Sequence, residues 1–135
     1  MDVKHIHPGS VAKPSGVWTP AVLVTQPGQL VFLSGFTSRD EAGNVVGVGD
    51  IRAQTEQVCK LLRTAMQAAG GDLKDIVRVD VFVRDIEQFD AIHEVRRRYF
   101  PNNAPVSTMV QVSRMVDARS LIEINAIGVL PYDKA

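Results

Sequence analysis

The chain has 135 residues, 45% apolar and 22% charged, which suffices for one domain spanning 1–135 with its own core and argues against disorder. Fifteen Lys and Arg balance fifteen Asp and Glu, so no broad basic field exists to draw in nucleic acid or an anionic membrane. A single cysteine, Cys59, excludes an internal disulfide and a paired-cysteine zinc site, and with neither an export signal at Met1–His5 nor an apolar run of about 18 residues the expected location is cytoplasmic, off the membrane.

His5 and His7 lie in an extended N-terminal stretch without a carboxylate or cysteine nearby to complete a metal set, so no metal is expected. Val17–Val24 and Leu30–Leu33 read as strands that pair with each other, the second running on into Ser34-Gly35. Ala42-Gly43-Asn44 is turn chemistry between strands. Gly47-Val48-Gly49 lacks the Lys-Ser/Thr of a phosphate loop and the third glycine of a dinucleotide site, and it predicts a flexible approach to a helix. That helix runs from Asp50, its N-cap, to Ala69, with Ile51, Val58, Leu61, Leu62, Ala65 and Ala69 on one stripe and Gly70-Gly71 as the stop.

Ile76–Val83 alternates as a strand with Val77, Val79, Val81 and Val83 on one apolar face. A second helix is predicted after Asp85 and before Pro101, with Phe89, Ile92 and Tyr99 or Phe100 inward and Arg96-Arg97-Arg98 mostly outward. His93 lies at the edge of its apolar stripe, where it is a half-buried histidine or a functional imidazole. Pro101–Pro105 is a short connection to a strand over Val106–Val112. A last strand, Leu121–Val129, sets Ile122, Ile124 and Ala126 against a mixed face of Glu123, Asn125 and Ile127.

This order, β-β-α-β-α-β-β, predicts an α+β sandwich with both helices on one sheet face. The other face, mixing Phe82 and Ile127 with Glu123 and Asn125, has the character of a subunit interface or a site, so a homo-oligomer is expected. Glu123 carries the most information, because an acid within an Ile-rich strand either faces solvent or is buried with a purpose. Burial raises a carboxyl pKa and fits it for proton transfer. Ser34 lacks the surroundings of a hydrolase nucleophile and reads as a ligand-binding hydroxyl. The arginine triplet, without interleaved aromatics, reads as a solvated helix face rather than an RNA contact.

Four segments, Phe32-Leu33-Ser34-Gly35, Ala68-Ala69-Gly70 with Asp75-Ile76-Val77, Val81-Phe82-Val83-Arg84-Asp85 and Leu121-Ile122-Glu123-Ile124-Asn125-Ala126-Ile127, resemble the Rid (reactive intermediate deaminase, YjgF) family in order and spacing over nearly the whole chain. The resemblance implies a chorismate-mutase-like α+β fold, with a mixed sheet and two helices packed on one face. It also implies a homotrimer with clefts at subunit interfaces and cofactor-free hydrolysis of small enamine/imine substrates, typically 2-aminoacrylate, to ammonia and a 2-keto acid. Glu123 stands at the family's water-activating glutamate and Ser34-Gly35 at its cleft lining. Trp18 stands where a tyrosine is common, and His93 where an asparagine is.

Pro105-Val106-Ser107-Thr108-Met109 stands where active members read Pro-x-Arg-Ser-Cys or Thr. Ser107 thus replaces the carboxylate-gripping arginine and Met109 a frequent cysteine. A charge-assisted contact to a carboxylate contributes roughly 1.5–3 kcal/mol, which a serine hydroxyl cannot replace, so the expected substrate is one whose anchoring group is neutral, larger, or held by Arg119 or Arg84 instead. Two functions follow: a hydrolytic deaminase of an aminoacrylate-like or aminomuconate-like substrate, with Glu123 assisting water attack at the imine carbon, or a non-catalytic trimer binding small molecules in the same clefts. A ribonuclease would need a basic groove and a histidine pair that the sequence does not offer.

Overall fold

The computed structural model describes residues 1–132. Within them the elements run β1 (Asp2–Ile6), β2 (Ala21–Thr25), β3 (Gln29–Thr37), α1 (Ile51–Ala68), β4 (Ile76–Val83), α2 (Phe89–Tyr99), β5 (Val106–Gln111) and β6 (Ile122–Leu130). A four-stranded mixed sheet has the spatial order β3-β6-β4-β5, antiparallel except for the parallel β4–β5 pair. β1 and β2 form a separate antiparallel ribbon, with Ile6 opposite Ala21 and Asp2 opposite Thr25.

The expected pairing of Val17–Val24 with Leu30–Leu33 is not made, because β2 takes β1 as its partner. Between β2 and β3, Gln26 turns the chain through a left-handed conformation at φ 52 and Pro27 has no N–H to give a ladder, so this link ends pairing instead of closing a hairpin. The Ala42-Gly43-Asn44 turn forms, with Gly43 at φ 86, but it closes only a single bridge between Arg39 and Val45 and leads into α1. The Gly47-Val48-Gly49 approach is a defined turn: both glycines adopt positive φ, 75 and 76, and the Gly47 carbonyl accepts from Gln54 Nε2 at 3.1 Å.

α1 begins where the Asp50 carboxylate accepts from Ala53 N at 3.0 Å and ends before Gly70, at φ 96. Its buried side is Ile51, Thr55, Val58, Cys59, Leu62 and Met66, joined by Gln54, whose amide is wholly buried. Gln54 donates to the carbonyls of Gly47 and Arg119 and accepts from Leu121 N at 2.8 Å, tying the helix start to the entrance of β6. From α2, Ile92, Val95 and the following Phe100 turn inward.

Val58 and Leu62 of α1, and Ile92 of α2, share one core with Val79, Val81 and Val83 of β4 and Ile122, Ile124 and Ala126 of β6, so both helices cover the same sheet face. On β4 a register shift between Ile76 and Arg78 turns Ile76 inward, leaving Val77, expected on the buried face, only half-buried. Each fully buried aliphatic side chain contributes about 1.5–3 kcal/mol, so a one-residue slip of β6 would be prohibitive. That register fixes Glu123 on the uncovered face, beside Phe82 of β4 and Thr37 of β3. The same face carries Phe32, 70% exposed, and Val110, 42% exposed.

Candidate functional site

The chemistry-bearing side chains fall into two groups on opposite faces of the sheet. On the uncovered face, β3 breaks register with β6 between Leu33 and Phe36, and this irregularity presents exposed Ser34 and Gly35. The Glu123 carboxylate lies directly over Gly35: a Cβ built on that glycine would stand 2.4 Å from Glu123 Oε2. Only a residue without a side chain leaves the carboxylate that seat. Glu123 is half-buried and opens on a cleft of about 260 Å³ whose other walls are Phe82, Val112, Arg114, Met115 and Val116. An ionisable oxygen pair thus sits at the rim of a mostly apolar surface, the setting in which a carboxylate can hold a water or move a proton.

The second group lies around the start of β5. Ser107 is the parallel partner of Val79, and Met109 of Val81. Because Val79 and Val81 point into the core, Ser107 and Met109 also point to the helix side, away from Glu123. Met109 is half-buried and packs against the core. Ser107 lines a depression of about 320 Å³ with Trp18, Pro20, Arg78, Val106 and Thr108. The segment carrying Trp18 is strapped down by Thr19, whose N–H donates to Pro105 O at 3.1 Å and whose hydroxyl donates to Ala104 O.

His93 lies beneath that segment, 2% exposed. A Cβ on Gly16 would stand 2.5 Å from its Nε2, and its ring stacks on Phe89 with centroids 3.9 Å apart. The neighbour of Nδ1 is the Phe89 carbonyl at 2.9 Å, so Nδ1 carries the hydrogen and Nε2 the lone pair. Burial pushes the His93 pKa below its ordinary 6.5; the bond to Phe89 works the other way, and the charges of Arg96 and Arg97 add to the depression. The unfolded chain therefore binds this proton more readily than the folded one. Thermal stability should be insensitive to His93 above about pH 6.5 and fall below it, and His93→Asn should flatten the loss between about pH 6.5 and 5.5 in a melting-temperature series. An unchanged pH profile would show that this imidazole titrates freely.

Arg96 departs from expectation. It is not on an outward triplet but 1% exposed, because it follows Ile92 by one helical turn and so falls on the inward stripe, leaving Arg97 and Arg98 outside. Its Nη2 donates to Val17 O at 3.2 Å and to Ser107 Oγ at 3.3 Å, while its Nε has no partner. Burial draws its pKa down to about 10, which leaves it charged at neutral pH. Cys59, pushed up to about 12 by burial, is a neutral thiol and offers no counter-charge.

The sequence profile of the family described as Endoribonuclease L-PSP matches residues 10–130. The chain is similar to 3-aminoacrylate deaminase RutC of Acinetobacter baylyi, 38% identical over 109 residues that cover 81% of this chain and 86% of that protein. It is similar to Protein DfrA of Myxococcus xanthus, 36% identical over 129 residues that cover 96% of this chain and 97% of that one. In three dimensions it matches YyfB of Yersinia pestis, a protein of the conserved Rid family, with a TM-score of 0.87, 26% identity, and 96% and 100% of the two chains covered. The chain belongs to the Rid family.

In this Rid chain the two arginines considered as replacement anchors line neither the Glu123 cleft nor the Trp18 depression. Arg119 is held by Asp117 through two bonds, Nε at 3.0 Å and Nη2 at 2.8 Å, and Arg84 Nη1 donates to Ala118 O at 3.4 Å. Asp117, gripped by Arg119 and near Arg39, stays a carboxylate well below the usual range. The cations that do stand at the two places are Arg114, on the wall of the Glu123 cleft, and, at the Trp18 depression, Arg78 in its lining and Arg96 behind Ser107. Helical phase alone marks Arg96, as the position one turn after Ile92, whereas Arg114 lies in a loop and carries no periodic signal. No helix is long and apolar enough to cross a membrane among the described residues.

Proposed function

We propose that this protein is a cofactor-independent hydrolytic deaminase of small enamine/imine acids of the 3-aminoacrylate type, working in clefts built between copies of the chain. The observation that carries the reading is the Glu123 carboxylate, seated over Gly35 at the edge of an open, largely apolar cleft. The relationship to a 3-aminoacrylate deaminase at 38% identity supports the substrate class.

The chemistry asks little of the protein. The enamine H₂N–CH=CH–COO⁻ takes a proton at carbon and becomes an iminium. Water, losing its proton to Glu123, adds to the C=N carbon. The carbinolamine then expels ammonia as its nitrogen regains that proton, while its hydroxyl returns to solvent the proton that carbon took from it, leaving a 3-oxo acid. One water enters, one ammonia leaves, and Glu123 ends as it began. General-base assistance of this kind contributes about 10²–10⁴-fold.

Glu123 with Ser34 and Gly35, and Trp18 with His93 and Ser107, lie on opposite sheet faces, so one chain does not bring them together. In a ring of copies, the uncovered face of one chain meets the Trp18 depression of the next. This is the arrangement we propose, in a homotrimer, with exposed Phe32 and Val110 within the contact. A ribonuclease, which the family description names, is disfavoured, because burial of Arg96 reduces the basic triplet to two exposed arginines on a chain of zero formal charge.

The test is ammonia release from 3-aminoacrylate and from imino acids generated in situ by an amino-acid oxidase, with semicarbazide trapping whatever imine survives. Acceleration over the spontaneous rate is the expected result. Spontaneous rates for every acid tried would contradict it, and bound acid without turnover would identify a binding trimer instead.

A further inference from the structure

We infer that Arg96, buried in α2, is the carboxylate anchor of the Trp18 depression, acting through the Ser107 hydroxyl. A guanidinium 1% exposed is costly unless its charge and its donors are answered. Here they are not. Among the described residues Arg96 takes part in no ion pair, and its Nε, wholly buried, has no acceptor. A strap on the Val17 carbonyl would need only one neutral donor, so holding the Trp18 segment does not explain a retained positive charge.

The direction in which that charge is spent is set by Ser107. Its Oγ accepts from Arg96 Nη2 at 3.3 Å, which leaves the hydroxyl hydrogen to donate to a ligand in the depression that Ser107 lines with Trp18. An anion accepting that hydrogen bond completes a chain of donors backed by a full positive charge in a poorly screened setting, the arrangement that makes such bonds strong. Arg78, the other cation at this depression, is 56% exposed and faces Asp80 at 3.4 Å, so its charge is both screened and partly answered. The ligand is therefore a small acid, with its carboxylate on Ser107 and the remainder reaching toward the neighbouring chain. The choice of acid rests on the deaminase reading; the anchor does not.

Crotonate and crotonamide test this. They share one planar framework, close in shape to 3-aminoacrylate, and differ in the charge that Arg96 is asked to recognise. Isothermal titration of the full chain should give at least about ten-fold tighter binding of crotonate than of crotonamide. Arg96→Met should abolish that preference by weakening crotonate alone, Arg96→Lys should keep part of it, and Arg78→Met should keep nearly all. Ser107→Ala removes the relay without touching the strap to Val17 and should also lose most of the preference, which covers the case in which Arg96→Met does not fold. Absence of the preference in the unaltered protein, or its persistence in folded Arg96→Met or in Ser107→Ala, would overturn the assignment. A protein that discriminates crotonate through Arg96 yet turns over no enamine would leave the anchor standing and remove the deaminase.

Discussion

Glu123→Gln is expected to lower turnover of a 3-aminoacrylate-type substrate by about 10²–10⁴-fold, the span of general acid–base assistance, while changing crotonate affinity by no more than about two-fold. Glutamine has nearly the volume of glutamate and keeps the seat over Gly35, so the cleft retains its shape. What disappears is the ability to take a proton from water. The loss belongs in kcat, because water activation is needed only in the transition state. Melting temperature should hardly move, since Glu123 is half-buried at the edge of an open cleft and the core face of β6 is untouched. Equal loss in kcat and in crotonate binding would mean that Glu123 holds the substrate rather than the water.

Gly35→Ala should have an effect of comparable kind from one added methyl. Gly35 has an ordinary backbone conformation, so alanine brings no φ strain. Its Cβ, however, would arrive 2.4 Å from Glu123 Oε2 and 2.9 Å from its Cδ, well inside contact distance. The end of a glutamate side chain can swing aside at small cost, so the fold survives and the carboxylate is what moves. Displacement of a catalytic group by about an ångström costs on the order of 10²-fold. We expect Gly35→Ala to keep its melting temperature within a few degrees and to lose about that much turnover. Stability and activity lost together would show instead that the seat is a packing requirement of the sheet.

These two residues also show how much of the site the sequence discloses. Alternation along Leu121–Val129 places Glu123 on the face opposite Ile122 and Ile124, and the hydrophobic register enforces it. The ends of α1 are equally legible, because Asp50 caps it and Gly70-Gly71 stops it, but of the expected stripe only Ile51, Val58 and Leu62 are buried, Ala69 is exposed, and the buried face runs on through Thr55, Cys59 and Met66. The failures have physical causes. Pairing of β2 with β1 depends on a ribbon whose Asp2, Lys4 and His5 hide the strand pattern, and on Pro27 interrupting the nearer choice. Arg96 sits on the inward stripe of α2, but a run of three arginines invites assignment to solvent as a block. That Ser107 and Glu123 face opposite ways follows from the parallel register of β5 on β4, a tertiary choice that no local pattern encodes.

In the arrangement we propose, the division of the site between two faces has each chain supply only half of each catalytic centre. In that arrangement the uncovered face, which carries exposed Phe32 and Val110 as well as Glu123, is both an assembly surface and a catalytic one. Assembly of the proposed kind would bring carboxylate and anchor together while covering apolar surface that a lone chain leaves wet.

Mixed oligomers test this most directly. Glu123→Gln removes the base from one half-site and Ser107→Phe fills the depression of the other, so each variant alone should be nearly inactive. Co-expressed in equal amounts and scrambled at random in a ring, the two should recover about one quarter of the unaltered activity, because about one interface in four joins two intact halves. Recovery near that level is the predicted result. Mixed oligomers as inactive as their parents would contradict a centre shared between chains.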